Sequence, residues 1–369
     1  MLRTTIFILS LAVLTCCDKN DTDPTPTPGD PWPSDSIRTL KSGLNFPWEI
    51  LWGKDDHIWM TEREGKVSKI DPRTGNVVFS ASIPGVVATG EGGLLGMVQH
   101  PDFLTNGLFY VVFNYTNAGN YREKLVQMKF AGGTVTTVST LIENLQAANI
   151  HNGSRLIISN ETTPRLYMTA GDAGAAGNAQ DPASLAGRVL RFNLDGTIPS
   201  DNPGATAAWS FGHRNPQGLV MVNGKIYASE HGQNIEDEVN IIEKSRNYGW
   251  PNVEGPCNTP AEISFCTANN VKEPIWSSGA ATIATAGLDY YDNVRIATWQ
   301  KSLLMTTLKD ESLRILTLSN DGLTVTGQQT VFKGTYGRLR DICISPAGRV
   351  YICTSNGGNA DRIIEVSKL

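Results

Sequence analysis

Four cationic side chains in three separate segments are the first residues of this 369-residue chain whose types and spacing could do chemistry. Ser210–Gly218 reads SFGHRNPQG and places His213, Arg214 and Asn215 just before a proline, in a loop leading to a strand. TLKD carries Lys309, and GRLRD carries Arg338 and Arg340 at alternate positions, on one face of an extended segment. Brought together, such cations suit a ligand with several carboxylates or phosphates. Taken singly, each could sit in an ordinary surface ion pair, and Asp310 and Asp341 are adjacent in sequence. His151, in NIHNGSRLII, offers a base or a structural imidazole. Ser229–Gly255 combines a Gly turn at Gly232 with Glu236, Asp237 and Glu238. Hard oxygen ligands of this kind suit calcium, although the spacing is not that of an EF-hand, and a solvated acidic loop is the alternative.

The elements that must position these loops repeat. HIWMTEREGKVSKID from His57, GLFYVVFNY from Gly107, RLYMTAGDAG from Arg165, KIYASEHG from Lys225, KSLLMTTLKDESLRILTLS from Lys301 and RVYICTSNGGNADRIIEVS from Arg349 each read as an apolar strand followed by a polar turn. Their starts lie 50, 58, 60, 76 and 48 residues apart, the size of four strands plus loops. The pattern predicts an all-β, six-bladed β-propeller, in which loops from different blades surround one central ligand. A two-sheet sandwich would not require the same phrase six times, and no long amphipathic helix competes with the strands.

Composition narrows the function classes. With 31 Lys+Arg against 36 Asp+Glu, a net charge of −5 and 18% charged residues, the chain suits neither nucleic acid nor disorder, and no long apolar run predicts a polytopic membrane protein. Residues 1–17 read as a lipoprotein-type signal peptide. Arg3 precedes an apolar stretch from Ile6 to Leu14, and Cys16 or Cys17 would carry the lipid; an ordinary signal peptide with an incidental Cys pair is the alternative. Residues 18–40, with five prolines between Asp21 and Ser36, predict an extended tether, leaving 41–369 for the propeller. Residues 1–36 carry Arg3 and Lys19 against Asp18, Asp21, Asp23, Asp30 and Asp35, so the acidity is largely the tether's. Cys257 and Cys266 could pair in an oxidising compartment, whereas Cys343 and Cys353 suit buried free thiols at least as well.

On LNFPWEILW, GEGGLLGMVQHPDF, HNGSRLIIS, GRVLRFNLDGTIPSDNP, SFGHRNPQGL, NYGWPNVEG, TTLKD and GRLRDICISPAGRVY, in that order, the chain resembles the soluble sugar dehydrogenases that use pyrroloquinoline quinone (PQQ), the glucose/sorbosone dehydrogenase family of six-bladed propellers. The resemblance implies that an aldose is oxidised at its anomeric carbon to a lactone and that electrons pass to an external acceptor. It implies His151 as general base and Arg214, Asn215, Lys309, Arg338 and Arg340 as cofactor contacts. It also implies calcium beside the quinone, on the carbonyls of Gly232 and its neighbour Gln233, and a second calcium held by Glu238 and Tyr248. Three positions depart from the family pattern. Glu91 replaces a cofactor-side Gln, Ile150 replaces an Asp before the base, and Gln233 replaces a Pro. The expected setting is extracytoplasmic, lipid-anchored to a bacterial membrane. A calcium-dependent lactonase-type hydrolase and a non-catalytic binding propeller are the rival readings.

Overall fold

Short alternating apolar runs separated by turns give this chain strands rather than long helices. At Val222–Lys225 the turn is an Asn-Gly pair, Asn223 and Gly224, with φ of 48° and 76°; positive values at both positions match the right-handed twist of the flanking strands. The computed structural model describes residues 32–369, of which Ser34–Leu369 form one unit of six four-stranded antiparallel sheets.

The inner strands are Pro47–Trp52, Leu94–Gln99, Gly153–Ile158, Pro216–Val222, Thr285–Tyr291 and Leu339–Ile344, opening blades 1 to 6 in chain order. Each contacts the next, and the sixth returns to the first, so the ring is closed. The six recurring phrases are the second strands: Ile58–Glu62, Leu108–Asn117, Leu166–Ala170, Lys225–Glu230, Ser302–Thr307 and Val350–Thr354. The architecture is the expected six-bladed propeller.

Blade 6 is completed from the other end of the chain. Ile37–Leu44 pairs antiparallel with Asp361–Val366, Ile37 facing Val366 and Leu44 facing Asp361. Residues 37–40, expected in the tether, therefore belong to the ring; their strand partner is distant in sequence and no local pattern announces it. The signal segment, Cys16, Cys17 and the tether up to residue 31 lie outside the described residues.

Between each pair of neighbouring blades lies one apolar core, six in all. Burying both faces of every sheet in this way supplies the stabilisation that no single blade could provide. On the axis, Arg155 of blade 3 lies 2.7 Å from Glu49 of blade 1 and 2.9 Å from Asp341 of blade 6. Its Nε donates to the Gln217 carbonyl of blade 4 at 2.8 Å, and its guanidinium sits 4.3 Å over the Trp48 ring.

One insertion breaks the all-β pattern. Between Glu238–Ile242 and Trp276–Ser277 of blade 4, Pro260–Asn269 is an α-helix with no buried residue. Thr259 accepts from the Glu262 amide while the Glu262 carboxylate returns to Thr259, a capping box written in the sequence as T-P-A-E. A Cys257–Cys266 disulfide ties the helix to its own approach loop. Cys343 and Cys353 are buried free thiols.

Candidate active site

Antiparallel pairing puts the start of each inner strand and the end of each second strand at the same end of the ring. His151, Arg214, Asn215 and Arg338 directly precede inner strands, Arg340 is the second residue of one, and Gly232 and Lys309 directly follow second strands. The topology thus gathers loops from blades 3 to 6 around one pit, as the propeller reading requires.

His151 stands in the left-handed region, with φ of 57°, a conformation that a non-glycine residue holds only when its surroundings impose it. Those surroundings are visible. Its amide donates to Glu91 at 3.1 Å, its carbonyl accepts from the Ala173 amide at 3.2 Å, and Gly171 passes so close that a Cβ there would collide with the carbonyl. The imidazole Nδ1 is 2.8 Å from Asp172 Oδ1. Asp172 is buried and already accepts from Trp250 Nε1 at 2.9 Å and the Gly174 amide at 2.8 Å. With an acceptor on that side, Nδ1 carries the ring proton and Nε2 keeps its lone pair. Asp172 and Trp250 are site residues that sequence reasoning missed. Asp172 lies inside the phrase RLYMTAGDAG, and nothing local marks it as the partner of His151.

Arg214 and Asn215 are held from two sides. The Asp172 amide donates to the Arg214 carbonyl at 2.7 Å, the Arg214 amide donates to Glu230, and Asn215 Oδ1 accepts from the Gly153 amide at 3.1 Å. The other oxygen of Glu230 meets His213 Nδ1 at 2.8 Å, and His213 Nε2 meets Ser210 Oγ at 2.8 Å. This Ser-His-Glu chain is buried and closed to substrate; it fastens the Arg214 loop. Asp237, an acid of the proposed calcium loop, spends both oxygens on backbone amides, Gly232 on one side and Ile283 and Ala284 on the other. It ties the Gly232 loop to the segment that leads into Thr285–Tyr291, whose Ile283 carbonyl accepts from the Lys309 amide at 3.0 Å.

The acids beside the cations in sequence pair elsewhere. Asp310 binds Arg314 and Lys333, each at 2.7 Å, and Asp341 binds Arg155. Among the described residues, none of Arg214, Lys309, Arg338 or Arg340 has a carboxylate within ion-pair distance. Lys309 Nζ reaches Thr282 Oγ1 at 2.8 Å, Arg340 Nη1 reaches Gln217 Oε1 at 2.7 Å, and Arg338 is exposed at the rim. Burial lowers the Arg340 pKa to about 10, against the pull of Glu91. Burial, followed by Arg340, Arg214 and His151, lowers that of His231 to about 3. Four buried polar atoms here lack a partner: Nε of Arg214, Nε of Arg340, Nε2 of His231 and Oγ1 of Thr285. Buried polar groups are nearly always satisfied, so this donor-rich set fits a ligand bearing several acceptor oxygens, as a tricarboxylate quinone does.

Beside Arg214 lies a cavity of about 20 Å³ bordered by Glu230, Gly232, Glu236, Glu238, Tyr248 and Glu254. Gly232 admits no Cβ, since one would strike the Ile235 carbonyl. Glu230 and Glu238 face each other across paired strands. Burial, and then Glu230, raise the Glu238 carboxyl to about 8. Crowded hard oxygens in an ion-sized space fit calcium. Among the described residues, however, no three His, Cys, Asp or Glu side chains already converge as metal ligands, so backbone carbonyls would complete the shell. The Tyr248 hydroxyl is committed to the Ile241 carbonyl and the Glu243 amide, leaving its carbonyl as the ligand atom. Gln233 and Ile150 are exposed.

The comparisons with known proteins point to one family. Residues 44–364 match the family model described as Glucose / Sorbosone dehydrogenase. The chain is 36% identical over 253 residues to quinoprotein glucose dehydrogenase B of Acinetobacter calcoaceticus, covering 59% of this chain and 52% of that protein; the match spans about half of that relative. It is 27% identical over 354 residues to an aldose sugar dehydrogenase of Escherichia coli K12, covering 90% of this chain and 92% of the other. The PQQ-bound structure of an aldose sugar dehydrogenase from Streptomyces coelicolor superposes with a TM-score of 0.76 at 30% identity, covering 91% of this chain and 99% of that one.

Proposed function

Because the chain belongs to the glucose/sorbosone dehydrogenase family, we propose that it is a quinoprotein oxidoreductase that uses PQQ to oxidise an aldose at the anomeric carbon to its lactone. The observation that carries this reading is the set of four cations from three blades without carboxylate partners, in a chain whose acids outnumber its bases. A protein leaves such a set unpaired at a price in self-repulsion, which a polyanionic cofactor offsets.

Bound in the pit, PQQ supplies the two-electron hydride acceptor that amino-acid side chains lack. Arg214, Asn215, Lys309, Arg338 and Arg340 bind and orient it, and Glu91 holds the His151 backbone in its strained conformation. His151 Nε2 takes the proton of the anomeric hydroxyl, and Asp172 holds the ring in the right tautomer and stabilises the imidazolium that forms. The carbonyls of Gly232 and Gln233 would hold a calcium that would supply Lewis-acid polarisation to the cofactor, and Glu238 with the Tyr248 carbonyl would hold a second.

The Cys257–Cys266 disulfide supports an oxidising, extracytoplasmic setting. The lipid anchor on Cys16 or Cys17 belongs to the same reading, with an external quinone, cytochrome or dye as electron acceptor. No helix among the described residues is long and apolar enough to cross a membrane.

Reconstitution tests the proposal. Purified apo-protein with PQQ and calcium is expected to reduce an artificial electron acceptor when offered a panel of aldoses. Absence of both turnover and cofactor binding by titration overturns it.

A further inference from the structure

We propose that His231 is a further contact residue of this site, its Nε2 accepting a hydrogen bond from an N–H or O–H donor of the bound ligand. This rests on the PQQ reading above. His231 directly follows Lys225–Glu230, and its backbone is fixed against the Arg-Asn pair: its amide donates to the Asn215 carbonyl at 3.4 Å and its carbonyl accepts from Arg214 Nη1 at 3.5 Å. The ring lies beside the Thr285 backbone of blade 5 and within the fields of Arg214, Arg340 and His151. Its Nε2 is buried and has no partner.

A ring nitrogen left unpaired inside a folded protein is costly unless a ligand completes it. The direction of that missing bond follows from the neighbours. A neutral imidazole has one N–H and one lone pair. Guanidinium groups are donors only, so flanking by Arg214 and Arg340 favours a lone pair at Nε2 over a second N–H. Beside the His151 lone pair, the pit presents donors to the ligand, the unpaired Nε of Arg214 and of Arg340. His231 thus adds a second imidazole acceptor to a wall of donors. A quinone carrying three carboxylates answers the donors with its oxygens, and its pyrrole N–H answers His231. An aldose hydroxyl is the other source of the same chemistry.

The test uses the full chain, His231→Leu and His231→Gln, with PQQ binding followed by fluorescence titration in the absence of sugar. If the pyrrole N–H is the donor, His231→Leu raises the cofactor Kd about tenfold, and His231→Gln, whose amide oxygen accepts, recovers most of the loss. If a sugar hydroxyl is the donor, the cofactor Kd stays put. In that case KM for the aldose rises about tenfold in His231→Leu with kcat little changed, again recovered by Gln. Either result supports the assignment and identifies the source. His231→Leu with wild-type cofactor Kd and wild-type KM overturns it while leaving the quinoprotein reading intact; a wild-type chain that binds no PQQ overturns both. Should His231→Leu melt early, His231→Asn, whose shorter amide falls short of the ligand, replaces it in the same comparison.

Discussion

The Nδ1 of His151 and the Oδ1 of Asp172 stand 2.8 Å apart because their loops flank the open end of the first hairpin of blade 3, where Gly153 pairs with Ala170. The carboxylate holds the ring through Nδ1, which leaves Nε2 for proton transfer. Replacing Asp172 by Asn removes the charge and turns one of two acceptor oxygens into a donor, so His151 Nδ1 and Trp250 Nε1 no longer both find an acceptor. Asp172→Asn is expected to lower kcat by roughly 10²- to 10⁴-fold, and His151→Ala at least as much, while PQQ affinity changes little. Steady-state kinetics beside a cofactor titration checks this; an undiminished kcat in Asp172→Asn would remove the base from His151.

The two arginines of GRLRD predict different salt behaviour. Arg340 is buried and Arg338 exposed. Each charge-assisted contact contributes about 1.5–3 kcal/mol at most, so Arg340→Gln should weaken PQQ binding by roughly 10- to 100-fold. The effect of Arg338→Gln should be smaller and should shrink as salt rises from low to about 0.5 M, whereas that of Arg340→Gln persists. Cofactor titrations across a salt series measure both.

Arg155 holds blades 1, 3, 4 and 6 together on the axis. Arg155→Met leaves Glu49 and Asp341 buried side by side with no cation, a defect that costs about 3–5 kcal/mol in comparable buried pairs. The variant should melt well below wild type, and adding Glu49→Gln and Asp341→Asn should restore much of the loss. Thermal unfolding of the single and triple variants decides it.

Glu123 gives stability a pH slope. It is buried, accepts from Ser154 Oγ at 2.6 Å, and burial raises its carboxyl from 4.5 to about 8. The folded chain therefore holds this proton more tightly than the unfolded chain. The contribution is fully present below about pH 4.5 and is lost as pH rises towards 8. Glu123→Gln should gain stability relative to wild type between pH 6 and pH 9 and none near pH 4, roughly, by chemical denaturation. A constant difference across that range refutes it.

Much of this was legible in the residues. The six phrases marked second strands because those strands are buried on both faces and so read as unbroken apolar runs. The cations were legible because loops next to those strands must share one end of the ring. What stayed hidden depends on pairings between distant segments. The partner of His151, the role of Asp237 as a brace and the strand at Ile37–Leu44 are set by neighbours that the local sequence does not name. The helix at Pro260–Asn269 was a different omission: its cap is local and readable, but the segment lacks the apolar stripe by which helices are usually found.

The pairing of Ile37–Leu44 with Asp361–Val366 makes the ring a test of chain integrity. The first strand of the propeller has nowhere to dock until the last has been made, so the circle stays open throughout synthesis and the slowest contacts are also the sealing ones. A chain cut short before Asp361 leaves Leu40 and Leu44 without the surface that buries them and exposes the seam between blades 6 and 1. Only a chain that reaches Asp361–Val366 can close the ring.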